Sequence, residues 1–162
     1  RYTELQPSGK ARMFTFPMEA KSLITSPSAN MLLETPGLYQ ITGLAWSGRG
    51  KIKQVDVSAD GGKTWAPAEL QEPVLDRAFT RFRLPWQWNG KPTILNSRAI
   101  DETGYVQPER SELIKQRGRH GFFHYNAIIN WHVDSDGVVS HVYNKEENET
   151  ADTDINIDSG WD

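Results

Sequence analysis

Short runs of alternating apolar and polar residues, punctuated by glycine and proline, recur along the chain. Side chains alternate between the two faces of an extended segment, so such runs read as half-buried strands. Gly37 to Trp46 alternates throughout, with Leu38, Gln40, Thr42 and Leu44 on one face. Tyr39, Ile41 and Ala45 form the other face, around a gap at Gly43. Lys51 to Ser58 is the clearest strand, with Val55 and Val57 directed one way and Asp56 and Ser58 the other. Asp60-Gly61-Gly62 is a turn signal, because glycine tolerates the positive φ of tight hairpins. It predicts a return strand from Lys63-Thr64-Trp65, with the Trp65 indole packing back over the hairpin. Lys21 to Thr25, Ala78 to Leu84, Pro92 to Asp101 and Val138 to Tyr143 read as further strands, and Phe14 to Phe16 as a short one. Ala66 to Gln71 is too short for a stable helix. Arg110 to Gln116 spans two helical turns but is equally compatible with a loop.

About seven to nine strands and no long helix predict an all-β fold, a β-sandwich of immunoglobulin-like topology over residues 21–143. Its expected core includes Trp46, Val55, Val57, Trp65 and Phe82. Residues 144–162 hold seven acids and one base, a net of −6 within a total of −3, leaving +3 on the rest. With few large apolar groups they cannot offset their ordering entropy, and read as an extended acidic tail.

The 162 residues suit one domain with a short tail. No apolar run approaches the ~18 residues of a membrane-spanning helix, and no basic block points to nucleic acid. RYTELQPSGK contains no signal-peptide pattern. The chain opens on arginine, as a mature or cleaved product would. The absence of cysteine excludes disulfides, thiolate catalysis and thiolate metal sites within these residues.

Ser58 to Trp65 fits the Asp-box pattern of β-propeller sialidases, but occurs once where a propeller requires recurrence. His120, His124, His132 and His141 crowd one quarter of the chain. The residues between His120 and His124 are β-like, so i and i+4 stand far apart along a strand, and no carboxylate lies at ligand spacing. Nothing marks a nucleophile elbow, so a Ser/His/Asp triad is not favoured. Trp86-Gln87-Trp88 would place two indoles on one face, either as a sugar-binding platform or as core. Asn148-Glu149-Thr150 matches a glycosylation sequon. Lys115 to Gly121 is a basic stretch in which Arg117 and Arg119 flank a glycine. Guanidinium forks bind oxyanions in bidentate fashion, so an anion contact and a solvated basic loop are both open.

Several strings in order carry a resemblance: Lys21-Ser22-Leu23-Ile24-Thr25-Ser26-Pro27, Gly43-Leu44-Ala45-Trp46-Ser47-Gly48-Arg49-Gly50, and Val55 through Trp65. Arg98-Ala99-Ile100-Asp101 and Gly104-Tyr105-Val106-Gln107-Pro108 follow. Over roughly residues 10–143 the chain resembles the C-terminal dimerisation domain of the sulfite oxidase family of molybdenum enzymes. Its ending, Gly121 to Ala127, Trp131-His132-Val133 and His141-Val142-Tyr143, is most similar to the molybdenum subunit of periplasmic sulfane dehydrogenases. The resemblance implies a two-electron oxidation of sulfane or sulfite sulfur at a molybdenum–molybdopterin held by a domain absent from this chain. Residues 1–20 would be the linker from that domain, and this chain alone would be inactive. It implies a homodimer, a c-type cytochrome partner, a sulfur-carrier protein as substrate and a periplasmic location. It matches Arg117-Gly118 to the family's oxyanion-pocket arginine, with Arg119 next in line. Two rival expectations stand beside it: a free immunoglobulin-like module using its tryptophans on carbohydrate, and a purely structural assembly domain.

Overall fold

The protein is described by a computed structural model over residues 3–6, 8–13, 16–118 and 123–142. Two antiparallel sheets, nine strands in all, pack face to face. In one sheet β3 (Lys21–Ser26), β4 (Gly37–Trp46), β8 (Thr80–Trp88) and β7 (Glu69–Leu70) lie in the order β3-β4-β8-β7. The second comprises β5 (Ile52–Ser58), β6 (Ala66–Pro67), β9 (Thr93–Asp101), β10 (Asn130–Val133) and β11 (Val139–Val142). Its order is β11-β10-β9-β5-β6. Within the segment read as a linker, β1 (Thr3–Leu5) and β2 (Ala11–Met13) form a separate antiparallel pair. The all-β sandwich is the architecture expected from the alternation. Tyr143 and the acidic residues 144–162 lie outside the described residues, as does most of the run Phe14 to Phe16.

The alternation in β4 translates directly into burial. Ile41, Gly43 and Ala45 face the core, while Leu38, Gln40, Thr42, Leu44 and Trp46 line the outer face. The core joins both sheets through Ile24, Ile41, Phe82, Val55, Leu95 and Val133. Trp88 is buried, with its indole N–H on the Lys91 carbonyl, and Trp86 packs against the core beside Tyr39. Trp88 is therefore a core group and Trp86 a partly buried one, so the two indoles do not stand together as an open platform.

Two expected core residues are not in the core. Trp46 is half-exposed on the outer face, edge-on to Phe79 at 5.1 Å. It lies at an even position of β4, opposite in facing to Ile41 and Ala45. Trp65 is also half-exposed. The Arg98 guanidinium sits 4.3 Å from its ring centroid and pairs with Asp56 at 3.0 Å. Trp65 thus lids a cation, and its stacking explains why Asp56 is buried on the side of β5 that faces away from the core.

The return strand starts at Ala66, opposite Val57, three residues later than Lys63. The intervening loop is tied by side chains. Ser58 Oγ accepts from the Gly62 amide at 2.8 Å, and the Asp60 carboxylate accepts from the Thr64 amide at 2.9 Å and hydroxyl at 2.6 Å. Those Thr64 contacts, helped by the Ser58 hydroxyl, hold the exposed Asp60 carboxyl down to about 2 from 3.8. A depressed carboxylate lends its full support above the unfolded value and loses it as pH falls through the folded one. The Thr64 amide resonance should therefore shift as pH falls from 3.8 to about 2. NMR titration of wild type and Asp60→Asn checks this: an identical acid transition in both would refute the assignment.

Gln107 ties the layers together. Its Oε1 accepts from the Ser22 amide at 2.8 Å, the Ser22 hydroxyl at 2.7 Å and the Ala99 amide at 3.0 Å. Its Nε2 donates to the carbonyls of Ser22 and Ala127. A buried carboxamide engaged at both ends links β3 of one sheet to β9 of the other without leaving an orphaned polar atom.

Candidate functional site

Arg110–Arg117 is helical (α1), which resolves the open choice at this segment. Residues four apart share a helix face, so the buried Leu113 carries Arg117 inward with it. The helix ends at Gly118, whose φ of 80° is readily adopted by glycine and whose amide bonds the Ile114 carbonyl at 2.7 Å. Lys115 and Arg117 in the last turn complement the carbonyl end of the helix.

The Arg117 side chain is only 6% exposed. Its Nη2 lies 3.0 Å from Glu19 Oε2, and Nη1 donates to the His124 carbonyl at 3.1 Å and the Phe123 carbonyl at 3.4 Å. One guanidinium thus pins the end of α1 to the strand-entry residue Glu19 and to the chain beyond residue 122. Glu19 is itself buried and meets a second guanidinium, Arg49 Nη2, at 3.4 Å. Arg49 also stacks over the Tyr105 ring at 5.8 Å.

The loop carrying Arg49 is set from below. The Ser47 hydroxyl donates to the fully buried Asp101 at 2.8 Å and accepts from the Arg49 amide at 3.1 Å. Burial alone would raise the Asp101 carboxyl. Hydrogen bonds from Thr103, Ser47 and the Tyr105 amide outweigh it and bring the group below its ordinary value. Nearby, Lys21 donates to the Tyr125 carbonyl at 2.7 Å between the Trp46 and Tyr125 rings, and its partial burial lowers its pKa. Asn126 Nδ2 bonds the Ala20 carbonyl and the Tyr105 hydroxyl, both at 3.1 Å.

Two guanidinium groups, those of Arg49 and Arg117, therefore meet one carboxylate, Glu19, and Lys21 lies two residues further along the chain. Among the described residues, His124 Nδ1 and Asn126 Oδ1 beside them are buried with no hydrogen-bond partner. The Arg117 end of this arrangement is nearly closed to water, a setting in which charge-assisted hydrogen bonds are strong. Arg119 and His120 lie outside the described residues. His132 and His141 occupy adjacent paired rows of β10 and β11, on opposite faces, and do not converge with His124. Glu19, Lys21, Arg49 and Asn126 carry no signal in the sequence as site residues, because only the fold joins positions about a hundred residues apart.

The described residues contain no group of three or more His, Asp or Glu placed to hold a metal ion, and the chain has no cysteine. They do not fit a molybdenum ligand set. No helix among the described residues is long and apolar enough to cross a membrane.

Residues 12–131 match the family model for the Mo-co oxidoreductase dimerisation domain. The chain is 37% identical over 97 residues to mitochondrial sulfite oxidase of Mus musculus, covering 55% of this chain and 17% of that protein. It is 30% identical over 107 residues to a nitrate reductase of Hordeum vulgare, covering 57% and 12%. The crystal structure of the sulfane dehydrogenase SoxCD from Paracoccus pantotrophus is similar at a TM-score of 0.85 and 48% identity. That match covers 89% of this chain and 37% of the other. The chain thus spans well under half the length of the proteins it matches.

Proposed function

Because the chain belongs to the family of Mo-co oxidoreductase dimerisation domains, we propose that it is the dimerisation and substrate-pocket portion of a molybdenum-dependent dehydrogenase of sulfane or sulfite sulfur. The observation that carries the sulfane choice is the likeness to a sulfane dehydrogenase, 48% identical over 89% of this chain. The likeness to sulfite oxidase reaches 37% over 55%. In this reading the cofactor is molybdenum–molybdopterin, bound by another domain of the parent protein. The parent is periplasmic, forms a homodimer, passes electrons to a c-type cytochrome and takes its sulfur from a carrier protein.

The part given to the present residues is electrostatic. Arg117 and Arg119 supply the cationic contact for an anionic sulfur species, Arg117 anchored by Glu19 and Arg119 one residue beyond Gly118. What supports this is the pair of arginines on Glu19 and the two polar atoms of His124 and Asn126 that have no partner among the described residues. Fixed charges in a site that excludes water stabilise developing charge without reorganising.

The test is steady-state kinetics on the full-length enzyme, with molybdenum content measured in each variant. Arg119→Ala should lower kcat/KM by roughly ten- to a hundredfold, the effect of one lost charge-assisted contact of about 1.5–3 kcal/mol. Arg117→Lys keeps the charge beside Glu19 but loses the fork, and should fall between that value and wild type. Wild-type efficiency in both variants would leave only the structural role, an assembly domain without a hand in the pocket. Activity on sulfite that exceeds activity on sulfane compounds would reverse the substrate choice.

A further inference from the structure

We infer that the outer edge of β3 is a cryptic site for an extended polypeptide strand, held shut by the side chains of Gln107, Asn126 and Trp131.

An edge strand presents a row of backbone N–H and C=O groups with which another chain can pair. Along one edge these groups belong to alternate residues. β3 ends its sheet, with β4 on one side only. On its other side the groups of Ala20, Ser22 and Ile24 are engaged by side chains. The Ala20 carbonyl accepts from Asn126 Nδ2, and the Ile24 carbonyl from Trp131 Nε1, both at 3.1 Å. Between them the Ser22 amide donates to Gln107 Oε1 at 2.8 Å, and the Ser22 carbonyl accepts from Gln107 Nε2 at 3.4 Å. A carboxamide that both accepts from and donates to one residue repeats what a paired residue does in an antiparallel ladder. Three side chains at a spacing of two residues thus fill the lane of a missing strand.

The other edges of the sandwich are closed by different means. Residues 30–33 run along β11 and bond it through the backbone. The Asn30 amide donates to the Val139 carbonyl at 3.0 Å, the Val139 amide to Met31 at 2.9 Å and the Leu33 amide to Gly137 at 2.9 Å. β6 and β7 are two residues each, and Pro67 in β6 has no N–H to offer. Among the described residues, β3 is therefore the long edge of the sandwich, six residues, that carries side chains instead of backbone.

The site is shut in the folded chain, where Ser22 is 0% and Gln107 2% exposed. Withdrawal of Gln107 and Asn126 uncovers it. What it then takes is recognised through main-chain groups: an extended segment of another polypeptide, laid antiparallel along β3.

A fluorescently labelled peptide of the β4 sequence, Gly37 to Trp46, tests the site on the 162-residue chain. β4 is the strand that β3 already pairs with, so its sequence suits an antiparallel partner. Gln107→Ala and Asn126→Ala clear the lane. Each should raise the peptide's affinity over wild type by at least about tenfold, because a larger fraction of the chain is then open. The Ser22 and Ile24 resonances should shift in the complex, and N-methylation of alternate peptide amides should abolish binding. Phe82→Ala removes a core ring and leaves the edge shut, so it should bind no better than wild type. Wild-type affinity in both folded edge variants, an equal gain in Phe82→Ala, or full binding by the N-methylated peptide overturns the site. Wild type gives a reading that needs no variant. Capture of excess peptide should proceed at the exchange rate of the Ser22 amide, measured where every opening leads to exchange, because both wait on the same event. Capture faster than that exchange, or none by the time Ser22 has exchanged, also overturns it.

Discussion

Phe82→Ala is expected to lower the unfolding free energy by about 3–5 kcal/mol, toward the upper end of the range for a buried phenylalanine. The reason lies in the residue opposite. Phe82 pairs across the ladder with Gly43, and the ring fills the space where a glycine side chain would stand. A Cβ built on Gly43 would lie 2.2 Å from the ring and 2.4 Å from the Leu23 carbonyl oxygen. Removing the ring therefore opens a void over a residue with nothing to move into it, and the cost of a cavity depends on how well its walls collapse. Urea denaturation of the isolated chain reads the change directly. A loss below about 1 kcal/mol would mean that neighbouring side chains refill the space. Gly43→Ala tests the same contact from the other side, since the added methyl has to displace either the ring or a backbone carbonyl.

Arg117→Ala should cost a comparable amount, about 3–5 kcal/mol, through a different term. Breaking a buried ion pair from one side leaves the other charge desolvated. Among the described residues Glu19 would retain Arg49, at 3.4 Å and on a side chain 43% exposed. The same change also removes the Arg117 donor from the Phe123 and His124 carbonyls. Glu19→Gln placed on the Arg117→Ala background should restore part of the loss, because it removes the stranded charge. The double-mutant cycle separates that coupling from the lost packing. A single-mutant effect under about 1 kcal/mol would identify the pair as solvated, like an ordinary surface bridge. Because of this expected cost, Arg117→Lys is the variant suited to kinetic comparison in the full-length enzyme.

The sandwich was legible because its strands alternate and its loops carry glycine and proline at the breaks. In β4 the period of two sorted the side chains into the two faces that the structure shows. The tryptophans misled for a physical reason. A large aromatic is usually buried, but Trp46 sits on the outer face of its strand and Trp65 stacks on Arg98, and neither arrangement leaves a mark on local sequence. The basic stretch ending in Arg117 and Arg119 stood out, yet the burial of Arg117 did not. That depends on α1 being helical, which puts Arg117 on the face of Leu113, and on Glu19, ninety-eight positions earlier in the chain. Arg49 and Lys21 were visible only as parts of a family string, because their shared surroundings exist only once both sheets are assembled.

The Gln107 carboxamide also bears on how the protein breathes. Its five hydrogen bonds reach Ser22, Ala99 and Ala127, three segments that meet only in the assembled sandwich. None can be released singly without stranding a buried donor or acceptor. The Ser22 and Ala99 amides, far apart in sequence, should therefore exchange their hydrogens with solvent in one joint opening event, at a rate set by withdrawal of the segment ahead of α1 that carries Gln107. The latch makes that segment a single cooperative unit with the seam between the sheets.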